Sequence, residues 1–238
     1  MSRKYFIREI LYDDYIILEN EEFHHIINVM RTKIGETLTF TDGKGKNCIA
    51  TMEKIFNGKA FFKINETFYE SDTPFELIVC VGLMKGDKNE FVIQKCSELG
   101  ATKLCFFESE YCVVKSKDNK LERYNKISIE ASKQCGRSTV MEILPTIKFN
   151  KLNELLSDCD KILCAYEKGG ERLNFNELET SNKIAIIIGS EGGFSEKEIS
   201  QISLLNQTKI VSLGKRILRA ETAVLTLTSL TMYLKGEL

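Results

Sequence analysis

After Pro74, short and almost wholly apolar segments alternate with segments of helical periodicity, and this pattern is the strongest constraint on the fold. Residues 184–188 carry no polar side chain, and residues 75–84 carry a single charge. A strand without a polar face has to be covered on both sides, as it is in parallel sheets. Alternation of strands with helices supplies the covering helices. The pattern therefore predicts an α/β domain with a parallel sheet over residues 74–238.

The predicted elements of this region follow one another in regular order. The strands are residues 75–84, 103–107, 161–166, 184–188 and 210–213, and the helices are residues 88–99, 121–135, 195–205 and 221–234. Ser195 and Glu198 match the capping-box pattern, which marks the first turn of a helix.

Residues 1–70 have a different pattern. Short β-prone runs cover residues 15–18, 37–40, 48–52 and 59–64, with one helix predicted over residues 21–32. The breaks are Asp42-Gly43-Lys44-Gly45 and Asn57-Gly58, and such pairs between apolar runs are strong hairpin signals. We therefore expect a small N-terminal β-barrel or sandwich.

Composition narrows the class of protein. No apolar run reaches the roughly 18 residues that a membrane helix requires, and the N-terminus lacks the apolar stretch of a signal peptide, so we expect a cytoplasmic protein. The eight cysteines form no Cys-x-x-Cys pair, and His24 and His25 are the only histidines. We therefore predict buried, reduced thiols and no metal site.

The formal net charge of −1 gives no sign of a nucleic-acid partner, but the local charges do. Residues 115–137 carry seven cations against three anions, and residues 209–221 carry four against one. Each run alone is typical of a solvated face. Because both adjoin motif-like sequence, together they favour a phosphate-binding surface.

A glycine-rich loop, residues 188–194, follows the most apolar strand. Ligands in parallel sheets bind outside the carboxyl ends of the strands, and glycines let a backbone approach a ligand closely. Glu191 would repel a phosphate and suits a cationic ligand such as a sulfonium. The alternative is a plain turn before a capped helix.

A second loop, residues 213–223, follows the last predicted strand. Ile217 and Leu218 lie between cations, so apolar side chains and free backbone groups could enclose an adenine. The alternative is a basic surface loop in which both side chains pack inward.

Together the two loops resemble the cofactor site of the SPOUT methyltransferases, in which the C-terminal segment is threaded as a trefoil knot. Further pieces match one branch, the RsmE family, which methylates N3 of a uridine in 16S ribosomal RNA. These pieces are His24 to Arg31 with Gly35, Lys85-Gly86-Asp87-Lys88, Gln94 to Gly100, Glu130-Ala131 with Gln134, and Gly136-Arg137. The match covers nearly the whole chain.

The resemblance implies a SPOUT trefoil-knot domain after a PUA-like β-barrel that binds RNA, with S-adenosylmethionine as cofactor. The cofactor residues that it implies are Leu83, Ile188, Gly189, Glu191, Gly192, Gly193, Leu213, Gly214, Ile217, Leu218, Arg219 and Ala223. Three positions depart from the family pattern: Ser190 replaces a proline, Ala220 a threonine and Cys135 a serine. Loss of the proline leaves the unbound loop more flexible, so we expect weaker cofactor binding.

The resemblance also implies catalytic and RNA-binding residues. Uracil N3 becomes a good nucleophile only as its proton leaves, and a guanidinium stabilises the charge that then develops on O2 and O4. Arg219 is the first candidate and Arg3 the second, while Glu221 either accepts the proton or only caps a helix. The predicted RNA contacts are Arg3, Arg31, Lys133 and Arg137.

One of His24 and His25 is expected to be a hydrogen-bonded structural residue. The expected partners are 16S ribosomal RNA or the assembled small subunit, and a second copy of the chain that completes the site. Two other functions stay open. One is a SPOUT enzyme with a different RNA target, such as a ribose 2′-hydroxyl; the other is a non-catalytic RNA-binding assembly factor.

Overall fold

The computed structural model describes residues 4–7, 14–116, 120–173 and 178–238. These residues form two compact units. The first comprises the described residues up to Asp72 together with Ser132–Val140, and the second comprises those of Thr73–Ala131 and Met141–Leu238. The sequence patterns placed residues 132–140 in the C-terminal domain, whereas in the structure the chain returns there to the first unit.

The first unit is built on a five-stranded sheet in the order β1-β3-β4-β5-β2. Its strands are β1 (Lys4–Phe6), β2 (Tyr15–Leu18), β3 (Thr37–Thr41), β4 (Lys46–Phe56) and β5 (Lys59–Tyr69). β1 pairs with β3 in parallel and the other pairs are antiparallel. Asn57 and Gly58 both have positive φ, at 49° and 70°, as the predicted two-residue hairpin requires.

The predicted helix over residues 21–32 has a different form. A short helix, α1 (Asn20–Phe23), runs into a π-helical segment, His24–Val29. The wider turn is visible where the amide of Met30 donates to the carbonyl of His25 at 2.9 Å. Arg31 then takes a left-handed conformation with φ of 57°. A single regular α-helix was therefore the wrong prediction here.

The core of the first unit lies under the sheet. Phe40 and Phe62 are fully buried, and their rings meet edge to face with centroids 5.1 Å apart. Ile26 from the π-helical segment packs in the same cluster. This aromatic contact joins β3 to β5 across the sheet and adds to the free energy of area burial alone.

Residues 132–140 are fastened to the first unit by main-chain and side-chain hydrogen bonds. The carbonyl of Ser138 accepts from the amide of Gly45 and from Thr41 Oγ1, each at 3.0 Å. The carboxylate of Asp72 accepts from the amides of Ser138 and Thr139 at 2.8 and 2.7 Å. These bonds satisfy polar groups that burial would otherwise leave unpaired.

The second unit contains a six-stranded sheet in the order β11-β9-β10-β6-β7-β8. Its strands are β6 (Glu76–Gly82), β7 (Lys103–Glu108), β8 (Glu142–Lys148), β9 (Lys161–Ala165), β10 (Lys183–Ile188) and β11 (Thr208–Val211). Every pair of neighbours is parallel. The predicted α/β class with a parallel sheet is confirmed.

Each face of this sheet has its own core, as apolar strands require. Alternate residues of β10 divide between the two: Ile184, Ile186 and Ile188 belong to one cluster, Ala185 and Ile187 to the other. All five are at most 3% exposed. The helices on both faces therefore cover the sheet that carries the site.

The helices of this unit are α2 (Lys88–Glu98), α3 (Leu121–Cys135), α4 (Leu152–Leu155), α5 (Glu196–Ser203) and α6 (Ala220–Leu234), and the last four residues of α3 belong to the first unit. The predicted capping box is present at α5, where Glu198 N donates to Ser195 Oγ and Ser195 N donates to Glu198 Oε2. β8 and α4 were not predicted. Among the described residues, no helix combines the length and the apolar character needed to cross a membrane.

Most of the cysteines are part of the cores. Six of the eight are buried, and burial raises the pKa of the Cys96 and Cys105 thiols to about 12. Thiols with such pKa values stay protonated at neutral pH and pack as small apolar groups.

A candidate ligand cleft at one edge of the parallel sheet

Three loops leave the carboxyl ends of β9, β10 and β11, which are neighbours in the sheet. They enclose a cleft of about 650 Å³, a volume within the range of small-molecule sites. The lining residues are Lys88, the segments 165–168, 188–194 and 212–214, residues 216–220, and Ala223. The structure thus brings the two predicted loops together and adds a third.

The first loop, residues 188–194, turns tightly as soon as β10 ends. The amide of Gly193 donates to the carbonyl of Ser190 at 2.9 Å. Gly193 has φ of +68°, a left-handed conformation that favours glycine. Ser190 is 5% exposed, and within the described residues its Oγ has no hydrogen-bond partner. The turn therefore lines the cleft with glycine-rich main chain, and it holds one buried, unpaired hydroxyl.

The first loop also passes very close to the end of β6. A Cβ atom on Gly82 would overlap the backbone nitrogen of Ser190 and lie 2.9 Å from the carbonyl carbon of Gly189. Backbone atoms cannot rotate out of the way as a side chain can. The absence of a side chain at position 82 is therefore a condition for the loop to sit where it does.

Glu191 is not a free negative charge in the cleft. Its Oε1 accepts from Lys88 Nζ at 3.0 Å and from the amide of Lys85 at 3.2 Å. Burial opposes ionisation of Glu191, but these hydrogen bonds outweigh it and keep the pKa of Glu191 below its usual value. The hydrogen bond to Glu191 raises the pKa of Lys88. One lysine thus pairs with two carboxylates, since Glu221 Oε2 also lies 3.6 Å from Lys88 Nζ, and the contact of Glu191 with a cationic ligand stays a prediction.

The apolar side chains of the second loop differ in their exposure. Leu213 and Leu218 pack against the core, whereas Ile217 is 83% exposed at the cleft. The inward packing considered from sequence holds for Leu218 and not for Ile217. Arg219 is exposed, lines the cleft, and precedes α6 with extended backbone (φ −65°, ψ 154°).

The third loop, residues 165–168, was missed from sequence. The amide of Tyr166 donates to the carbonyl of Val211 at 3.1 Å, which ties this loop to the end of β11. A Cβ on Gly193 would lie 3.2 Å from Glu167 Oε1, so the third loop also borders the first. The available signal was its position after the apolar strand β9, at the edge of the sheet where ligands bind.

Nearly all the predicted cofactor residues lie in this cleft. Ile188, Gly189, Glu191, Gly192, Gly193, Leu213, Gly214, Ile217, Leu218, Arg219 and Ala223 are among its lining residues. Leu83 is the exception, because it is not among the described lining residues. Its contact with the cofactor stays a prediction.

The candidate catalytic residues lie in different places in the structure. Arg219 is at the cleft, and Arg3 lies outside the described residues. Glu221 is not among the described lining residues; it is in the first turn of α6, and its Oε2 lies 3.6 Å from Lys88 Nζ. Glu221 is therefore in an ion pair with Lys88, and its role as proton acceptor stays a prediction. The N-cap of α6, Arg219, has no side-chain cap hydrogen bond.

The candidate RNA contacts also differ in their exposure. Arg31 and Lys133 are exposed, as a phosphate contact requires. Arg137 is 7% exposed, and its Nε lies 3.2 Å from Asp72 Oδ2. Arg137 is therefore a buried structural residue and not the predicted phosphate contact, because its guanidinium holds residues 132–140 to the first unit. Both His24 and His25 are exposed.

Comparisons with known proteins match two domain models along the chain, and the longer match includes residues 132–140. Residues 71–232 match the model of the RNA methyltransferase domain, and residues 18–64 match that of the RNA methyltransferase PUA domain. The α/β unit with its parallel sheet and the N-terminal unit thus correspond to the predicted methyltransferase and PUA-like folds.

Individual relatives cover most of the chain. It is 34% identical to ribosomal RNA small subunit methyltransferase E of Bacillus subtilis (strain 168), over 87% of this chain and 86% of that protein. It is 31% identical to the protein of the same name from Synechocystis, over 87% and 69%. The crystal structure of the Neisseria gonorrhoeae enzyme of that name, bound to S-adenosyl methionine, superposes with a TM-score of 0.81 at 29% identity, covering 98% of both chains. This chain therefore belongs to the RNA methyltransferase family, in the branch of the ribosomal RNA small subunit methyltransferase E enzymes.

Proposed function

We propose that the protein transfers a methyl group from S-adenosylmethionine to N3 of a uridine in 16S ribosomal RNA. The observation that carries this proposal is the cleft, where main chain from the two glycine-containing loops converges in a member of an RNA methyltransferase family. Because the proposed substrate is ribosomal RNA, we place the reaction in the cytoplasm.

The cleft has features that suit an adenosyl ligand. Ile217 is an apolar side chain left exposed at its wall, and Ser190 Oγ is a buried hydroxyl with an unfilled hydrogen-bonding position within the described residues. A ligand with an apolar ring would cover Ile217, and a polar edge of the ligand would pair with Ser190 Oγ if binding shifts the turn enough to uncover that atom. Leu218 and Ala223 would pack against the ring, and the main chain of residues 213–218 would read its edge.

S-adenosylmethionine, when bound, supplies an electrophilic methyl group on a sulfonium centre. The residues of this chain have to hold the acceptor nitrogen in line with it, and positioning of this kind lowers the barrier by several kcal/mol. The turn at Gly189–Gly193 and the second loop would hold the cofactor. Exposed cations at the cleft would position the RNA that carries the acceptor nitrogen.

Arg219 has the chemistry to assist the transfer. The proton passes from N3 to a base, for which Glu221 is the proposed candidate, and negative charge then spreads onto O2 and O4 of the uracil. A guanidinium stays charged at any physiological pH, and aimed at those oxygens it stabilises the charge that develops in the transition state. Because Arg219 is held at the start of α6 and lines the cleft, we assign it this role.

The surroundings of the cleft suit a polyanion. Lys168, Arg216 and Arg219 are exposed and line it, and Lys215 is exposed beside them. Cations grouped in this way attract phosphates, and the resulting affinity falls as salt rises. In the first unit, Arg31 and Lys133 remain the proposed phosphate contacts.

We also propose that the protein acts as a homodimer with the site near the interface. α6 starts at the cleft, and on it Leu230 and Tyr233 are 40% and 56% exposed. Residues three apart lie on one face of a helix, so these side chains form an apolar surface that a second copy would cover. Light scattering on a size-exclusion column measures the mass, and a monomeric mass at working concentration would contradict the proposal.

The cofactor assignment is tested by calorimetric titration with S-adenosylmethionine. We expect binding by the wild-type protein and loss of binding in Ile217→Asp, which places a charge against the ring. Ile34→Asp is the matched control, because Ile34 is also exposed, at 62%, and belongs to the first unit. An absence of binding heat in the wild type would favour the non-catalytic assembly factor.

The target atom is tested by digestion of modified RNA and identification of the methylated nucleoside by mass. The substrates are 16S ribosomal RNA and assembled small subunits that lack the modification. We expect 3-methyluridine. Methylation of a ribose 2′-hydroxyl would replace the proposal with its alternative.

A further inference from the structure

Lys88 joins three separate parts of the second unit beside the cleft. It is the first residue of α2, directly after the loop that follows β6. Its Nζ lies 3.0 Å from Glu191 Oε1 in the first loop and 3.6 Å from Glu221 Oε2 in the first turn of α6. Lys88 itself lines the cleft. The sequence patterns assigned it no function.

We infer that Lys88 is a positioning residue: its ammonium group holds the first loop and the start of α6 at the spacing that the cofactor requires. The inference deepens the proposed function and rests on it for the identity of the cofactor. The spacing itself is a property of the protein alone.

The reasoning starts from the two carboxylates. Glu191 Oε1 and Glu221 Oε2 both lie within 3.6 Å of the same nitrogen, so the two carboxylates are close to each other and share one cation. Without that cation, two like charges at such a separation repel. The repulsion acts on the first loop and on the first turn of α6, and both segments line the cleft. Lys88 therefore controls how far apart these two segments stand.

Partial burial gives the contact its strength. The side chains of Lys88 and Glu191 are 32% and 33% exposed, and that of Glu221 is 16% exposed. An ion pair that is largely screened contributes little, but here one cation serves two carboxylates that are mostly shielded from solvent. Within the described residues, Glu221 Oε2 is buried and makes no hydrogen bond, which leaves the Lys88 ion pair to offset its charge.

The amide of Lys85 provides a direct measure of the contact between Lys88 and Glu191. The amide of Lys85 donates to Glu191 Oε1 at 3.2 Å, the same oxygen that Lys88 holds. If Lys88 keeps Glu191 in place, then loss of the ammonium group releases that acceptor and exposes the amide to exchange. Hydrogen exchange at Lys85 therefore measures the position of the first loop without any ligand.

The test compares Lys88→Met with Lys88→Arg and with the double change Lys88→Met/Glu191→Gln. Lys197→Met is the control, because Lys197 is an exposed cation on α5 away from the cleft lining and loses the same charge. Two quantities are measured: amide exchange at Lys85 in the cofactor-free protein, and the Kd for S-adenosylmethionine by calorimetry.

For Lys88→Met we expect about tenfold faster exchange at Lys85 and about tenfold weaker cofactor binding, the coupling usual for residues in contact. Lys88→Arg should stay near wild type, because it keeps the cation. The double change should recover much of the affinity, because glutamine removes the repulsion and still accepts from the Lys85 amide. Lys197→Met should alter neither quantity.

Wild-type exchange and wild-type affinity in Lys88→Met would overturn the inference, and so would a double change that binds no better than the single one. Lys88→Gln gives the same comparison should Lys88→Met not fold. If wild-type protein does not bind S-adenosylmethionine, the proposed cofactor is wrong, while the exchange at Lys85 still decides whether Lys88 holds the loop.

Discussion

Replacing Gly82 with alanine tests whether residues 189–193 cross the end of β6 as closely as the structure has them. Gly82 does not have a left-handed φ, so alanine fits its backbone conformation, and the only obstacle is space. The added methyl group would overlap the backbone of Ser190. Either the loop moves or the end of β6 does.

The size of the effect follows from what surrounds the new methyl group. Overpacking of a well-filled site costs about 1–3 kcal/mol, and main chain that cannot rotate away places Gly82→Ala at the upper end. Alanine recovers about 0.4–1 kcal/mol, because it restricts the unfolded chain more than glycine does. The net loss in the free energy of unfolding is therefore about 2 kcal/mol, which for a unit of this size is a fall in Tm of about 4–8 °C.

The assay is urea unfolding, with Gly169→Ala as the matched control. Gly169 also lacks a left-handed φ, and a Cβ there would meet nothing within 4 Å, so its variant should equal or slightly exceed the wild-type stability. Gly82→Ala should lower the midpoint with an unchanged slope and should also weaken cofactor binding. Equal midpoints for the two variants would refute the close crossing.

Three further predictions concern single side chains. Arg219→Ala should lower turnover about 100-fold or more while changing the Kd for the cofactor little, since the guanidinium meets charge that develops during the reaction; equal losses in both would contradict its role. Burial opposes ionisation of Asp72, but hydrogen bonds from Thr139 and two amides outweigh it and keep the pKa of Asp72 below its ordinary value of 3.8. Its stabilisation is therefore present above that value and lost as pH falls through the lower folded pKa, and Asp72→Asn should flatten the stability profile measured by urea unfolding between about pH 2 and pH 6. Ser195→Ala should lower the free energy of unfolding by about 1 kcal/mol in the same assay, because it removes the hydroxyl that accepts a hydrogen bond from the Glu198 amide at the start of α5. An unchanged midpoint would show that this N-cap does not stabilise the protein.

Features set by local sequence were predictable. The bounds of β2 (Tyr15–Leu18) and α3 (Leu121–Cys135) agree with the apolar pattern to the residue. The hairpin at Asn57 and the capping box at Ser195 were also predicted, because each depends on residues next to it in the chain.

Elements without a local pattern were missed. β1 (Lys4–Phe6) is three residues long and is defined only by its parallel pairing with β3. β8 carries Pro145, which argues against a central strand, but β8 is at the edge of the sheet, where proline is tolerated. The π-helical segment depends on its packing and has no marker in the sequence.

The same distinction between local and distant features applies to the candidate site. The two loops could be predicted, because their glycines and cations follow apolar strands and match a known pattern. Partners distant in sequence could not: Arg137 meets Asp72 across 65 positions, and Lys88 meets Glu191 across 103. Reading Arg137 as a phosphate contact was an error of this kind, and the pairing of Glu191 with Lys88 was missed, since a charged residue does not reveal in the sequence whether it is already paired.

The return of Ser132–Val140 to the first unit has a consequence for dissecting the gene. Neither unit is encoded by one uninterrupted stretch, so a truncation at Asp72 strips the hydroxyl of Thr41 and the amide of Gly45 of their acceptor at Ser138. A shortened RNA-binding fragment would need this excursion supplied as a separate peptide or grafted through a linker. Shuffling of the two halves between relatives is constrained likewise, because a recombination breakpoint near residue 72 separates Asp72 from the arginine that it neutralises.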